Sequence, residues 1–76
     1  MSMNERRADW ALSAVKRFRE VCGGSRNEDG SIDMSEAIGD LMVNLFHLCD
    51  QEDMDPAGVA KRALASYRDE VECPDD

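Results

Sequence analysis

Residues 33–50, DMSEAIGDLMVNLFHLCD, constrain this chain more than any other stretch. Met34, Ile38, Leu41, Met42, Leu45, Phe46, Leu48 and Cys49 recur at spacings of three and four. On a helix of ~3.6 residues per turn they occupy one arc of roughly 160°. Val43 alone falls outside it. Glu36, Asp40 and His47 mark the opposite side, with Asn44 at its edge. No other segment is as apolar over such a length, so the rest of the chain must pack onto this helix. The arc is wider than one neighbouring helix needs.

The flanking segments read as two further helices. Asn4 fits as an N-cap with Glu5 at the positive end of the first helix. Ala11, Ala14, Val15, Phe18, Val21 and Cys22 then form an apolar stripe with Trp10 on its flank, and Gly23-Gly24 ends it. Residues 23–32, GGSRNEDGSI, form a polar loop. Asp33 followed by Glu36 has the capping-box spacing. Asp55-Pro56 opens the third helix, with proline where its missing N–H costs nothing and Met54 and Val59 spaced for a hydrophobic staple. Val59, Ala60, Ala63, Leu64, Tyr67 and Val71 line one of its faces. The expectation is a single all-α domain over residues 1–76, with helices over about 5–22, 34–51 and 56–72 and a short acidic tail at 73–76. Short connections favour antiparallel neighbours. The surplus apolar arc predicts a three-helix antiparallel arrangement completed as a helical bundle by homodimerisation, with Leu41, Met42, Leu45, Phe46 and Cys49 at the interface.

Size points the same way. A lone core in a chain of 76 residues rarely supplies more than ~3–5 kcal/mol, and small domains add disulfides, metals or self-association. Cys22, Cys49 and Cys73 cannot all pair within one chain and form no close ligand pair, so they read as reduced thiols of a cytoplasmic protein. No leader and no ~18-residue apolar run is recognisable, so no membrane role is expected. The formal net charge is -8: residues 1–20 carry five basic and three acidic side chains, residues 21–76 four basic and fourteen acidic. Such a chain is poorly suited to nucleic acid, whose phosphates need clustered Lys and Arg. Arg6, Arg7, Lys16, Arg17 and Arg19 form a small basic patch, read as a solvated helix face.

Two constellations could hold a cation. Residues 25–36, SRNEDGSIDMSE, resemble an EF-hand loop, with Asn27, Asp29 and Asp33 as candidate calcium ligands, Gly30 at the bend, Glu36 at the end and Ser25 where an aspartate is usual. Glu36 and Asp40, one turn apart, are candidate magnesium ligands. Residues 36–70, EAIGDLMVNLFHLCDQEDMDPAGVAKRALASYRDE, look like the C-terminal half of the MazG-type all-α nucleotide pyrophosphohydrolases, which share an E-E-x-G-D-L-L run, an I-D-P helix start and a closing basic-aromatic helix. That resemblance implies a related helical architecture and, at Asp40, a magnesium-ligand position. The acidic residue three positions earlier in that family is Ala37 in this chain, and Glu36 comes one residue too soon. The family's E-x-x-E pair on the preceding helix is missing; Glu5 and Asp9 come closest.

NERRADWA, DLMVNLFHLCD and the late Ala63, Tyr67 and Glu70 also resemble a set of short uncharacterised helical proteins of bacterial mobile elements, which implies a bacterial accessory-gene product and no particular activity. His47, the single histidine, has no triad or metal partner at useful spacing. No glycine loop suits a phosphate. The reading leans away from catalysis, towards a self-associating helical protein that meets protein partners and needs no cofactor. Its alternatives are a magnesium-dependent pyrophosphohydrolase with a rearranged site and calcium binding at residues 25–36.

Overall fold

A computed structural model describes residues 2–23 and 27–73; positions 24–26, which include Ser25, and the tail from 74 onward lie outside the described residues. Three helices follow one another: α1 (Met3–Cys22), α2 (Met34–Gln51) and α3 (Pro56–Glu72), with no strand among the described residues. The all-α expectation holds, and α2 and α3 span the expected residues. None of these helices is long and apolar enough to cross a membrane.

Local chemistry sets most boundaries. Gly23 closes α1 in the left-handed region at φ 65° and donates its N–H to the Arg19 carbonyl at 2.9 Å, a conformation glycine adopts without a Cβ clash. α1 starts earlier than expected because Ser2, not Asn4, is its cap: the Ser2 hydroxyl accepts from the Glu5 N–H at 3.1 Å. Asn4 lies inside the helix and serves a tertiary contact. Asp33 caps α2 as expected, accepting from the Glu36 N–H at 3.2 Å. Asp55 holds the N-cap position of α3 with no side-chain cap bond, so Pro56 alone sets that start. Asp33→Ala is therefore expected to lower stability by about 1 kcal/mol and Asp55→Ala by a few tenths at most; paired urea melts measure the difference.

The helices do not stack along one axis. α2 packs against both α1 and α3, which touch each other little. Where α1 and α3 do meet, the start of one faces the end of the other. Arg7 Nε lies 2.7 Å from Glu70 Oε2, Arg7 Nη1 donates to Asn4 Oδ1 at 2.6 Å, and Asn4 Nδ2 donates to the Glu70 carbonyl at 3.0 Å. In an up-down-up bundle α1 and α3 run parallel and their starts adjoin. Here the end of α3 meets the start of α1, so the three helices follow a closed circuit.

The result is a slab, 39 × 36 × 15 Å in Cα extent. Its radius of gyration is 14.3 Å, against about 11.4 Å for a compact chain of this length. Its accessible surface is 6077 Å², against about 4,700 Å² for a compact monomer of this mass. Among the described residues only Val15, Ala37 and Cys49 are buried and apolar, and no large side chain is fully covered.

Candidate functional site

The centre of the slab is α2, and its apolar arc is shared out unequally. Ala37, 0% exposed, and half-buried Leu41 mark the α1 side. Buried Cys49 and half-buried Phe46 mark the α3 side. At ~100° per residue Leu41 and Cys49 are only about 80° apart around the α2 axis, and the two neighbours are offset along it, α1 beside Met34 to Leu45 and α3 beside Met42 to Cys49. Ile38, Met42 and Leu45 stay 46%, 47% and 48% exposed. The most apolar strip of the protein is the one its own neighbours leave open.

Two apolar grooves flank that strip. The groove between α1 and α2, about 420 Å³, is walled on the α1 side by Ala8, Ala11 and Ala14 with Leu12 and Val15, and on the α2 side by Met34, Ile38, Leu41, Met42 and Leu45. The groove between α2 and α3, about 390 Å³, runs from Met42, Leu45, Phe46 and Cys49 to Val59, Ala60, Ala63, Leu64 and Tyr67. Met42 and Leu45 line both, so the grooves adjoin, and no charged residue lines either. Contiguous exposed apolar surface beyond a few hundred Å² is uncommon on monomeric soluble proteins. Of the five residues expected at the interface, Met42 and Leu45 are open, Leu41 and Phe46 are half-covered, and Cys49 lies against α3. The stripes expected on α1 and α3 already contained Ala11, Ala14, Val15, Leu64 and Tyr67; Ala8 and Leu12 are the groove residues of α1 that they left out.

The basic patch on α1 is divided. Arg19, expected on the solvated face, is 5% exposed, with Nη1 3.9 Å from Asp40 Oδ2, while Arg7 joins the Glu70 cluster. Arg19 follows the buried Val15 by one turn, which puts it on the packed face, and its long aliphatic stem suits that place. Arg17 pairs on the surface with Glu20 at 3.1 Å, a contact worth little.

Asp40 faces a guanidinium, which competes with any cation for its carboxylate, while Glu36 is exposed at the start of α2. The family resemblance would need an acidic residue at Ala37, the most deeply buried position of the protein. In the loop, Asp29 Oδ1 accepts from both the N–H (2.9 Å) and the hydroxyl (2.6 Å) of Ser31. Asn27 Nδ2 donates to the Ser31 hydroxyl, and Asp33 is engaged as a cap. Among the described residues no three His, Cys, Asp or Glu side chains are grouped to hold a metal ion. The three cysteines are free thiols, Cys22 and Cys73 exposed and Cys49 buried.

The hydrogen bonds from the Ser31 side chain and backbone hold the Asp29 carboxyl below its ordinary pKa. A depressed folded-state pKa stabilises the turn above the unfolded-state value, and that stabilisation is lost as pH falls through the folded-state value. An NMR titration is expected to give Asp29 a midpoint below the ordinary aspartate value, with the Ser31 amide moving in the same step. A midpoint at or above the ordinary value contradicts this turn.

No protein-family model, no curated protein and no solved structure matches this chain, so the apolar face and its two grooves carry the functional reading on their own.

Proposed function

We propose that this chain is a non-catalytic, self-associating helical protein that works through protein–protein contact. Its contact surface is the open apolar face of α2 and the grooves beside it, and a homodimer completes the three helices as a larger helical assembly. One observation carries the reading: the chain leaves about 1,400 Å² more surface in water than a compact monomer of its mass. A standard interface covers about 800 Å² per partner, so a second layer over this face fits the surplus. The scant core supports the same conclusion, since burying the face adds the apolar area that one copy lacks.

Light scattering after size exclusion, at micromolar concentration, tests it. The expected mass is twice the chain's 8.5 kDa; a folded monomer overturns the reading. Because each copy carries a net charge of -8, the assembly is expected to tighten as salt screens the mutual repulsion. A contact with a basic partner weakens under the same change. Thermal melts with magnesium plus nucleoside triphosphates, or with calcium, are expected to show no rise in midpoint. A clear rise in either would favour the pyrophosphohydrolase or the calcium reading instead.

A further inference from the structure

We infer that the open face is self-complementary: Leu64 and Tyr67 of one copy seat against the alanine wall of the α1–α2 groove of a second copy, and reciprocally, about a two-fold axis near Met42 and Leu45. This arrangement rests on the self-association proposed above and specifies how it is built. The two halves of the face differ in relief. The α1 wall presents Ala11 and Ala14, side chains too small to fill a groove, with Leu12 as its one large exposed member at 37%, whereas α3 presents Leu64 and Tyr67, which are 56% and 61% exposed. Ala11 and Ala14 line the groove on one side of the ridge formed by Met42 and Leu45, and Leu64 the groove on the other, while nearer the start of α1 Ala8 and Tyr67 line a third cavity together.

A two-fold axis through that ridge brings each projection over the other copy's hollow, so two equivalent contacts form together and the assembly closes as a dimer. The occupant is a second copy for two reasons. The surplus of about 1,400 Å² leaves room for the ~800 Å² per partner that one further layer covers. Neither groove carries a charged side chain, so two copies of net charge -8 meet without opposing like charges at the centre of the contact.

The test uses full-length chains carrying Ala11→Lys or Leu64→Glu. Both positions are exposed, so each variant is expected to keep its helical circular dichroism. Each substitution occurs twice per dimer and is expected to raise Kd by roughly 100-fold or more. An equimolar mixture is expected to recover a dimer, because one contact is then native and the other pairs the introduced lysine with the introduced glutamate. A wild-type chain that is monomeric removes self-association itself. A wild-type dimer whose single variants stay dimeric, or whose mixture stays monomeric, leaves self-association standing and overturns this arrangement. Disulfide capture gives an independent reading that needs no charged substitution. With the native cysteines replaced, mixed Ala11→Cys and Leu64→Cys chains are expected to cross-link as a heterodimer, and failure to do so in a population that sediments as dimers also overturns the arrangement.

Discussion

Ala37→Phe is expected to lower stability by about 3 kcal/mol, because a ring must enter where α1 and α2 meet and overpacking strains both helices. Ala37 is 0% exposed, and the methyl group is what lets the helices approach. In a domain of this size that loss corresponds to a fall in midpoint of about 12 °C or more, and it removes much of what so small a core supplies. Ala65→Phe, at an exposed position of α3, serves as the matched control and is expected to move the midpoint little. Melts of both variants should be run at one protein concentration, since association with a second copy shifts the apparent midpoint by mass action. Equal midpoints for the two variants would mean that α1 does not rest on α2 at Ala37.

Leu45→Glu is expected to dissociate the proposed assembly while leaving each chain helical. Leu45 is about half exposed in the single copy and lines both grooves, so the monomer tolerates a carboxylate there, whereas the assembled face does not. Two lost leucine burials and two carboxylates brought towards the axis together cost about 4 kcal/mol or more, which is about 1,000-fold in Kd. Leu48→Glu provides a sharp comparison: Leu48 is equally exposed and on the same helix, but it lines neither groove. Sedimentation of the two variants side by side separates a specific face from general stickiness. Loss of association in both, or in neither, contradicts the assigned surface.

The helices themselves were legible because their signals are local. Asp33 before an apolar run, Asp55-Pro56 and the Gly23 turn each act within a few residues, and the structure places α2 and α3 where those signals put them. The relation between helices was less legible. Periodicity places Met42, Ile38 and Leu45 on an apolar face without saying whether another helix covers it; here the covered positions are Cys49, near the middle of that arc but one turn beyond Leu45, and Ala37, just outside it. Arginine counts as polar in any such pattern, yet Arg19 packs through its stem and meets Asp40 with its tip. The reach of Asn4 and Arg7 to Glu70 crosses 63 to 66 positions, which no local pattern encodes. The cation ligands were read from spacing alone, and spacing did not foresee that Ser31 and Arg19 occupy the carboxylates of Asp29 and Asp40.

The contact between Arg7 and Glu70 also has a consequence for covalent connectivity. Because the circuit of three helices returns to its origin, the start of α1 and the end of α3 share one corner of the slab. A short peptide linker from the end of α3 to the start of α1 would therefore add little closure entropy, and new ends could be opened in the polar segment between Gly23 and Asn27. The order of helices along the gene is thus one of several compatible with the same slab, and a circularly permuted chain beginning at α2 should keep its helices, its grooves and its open face.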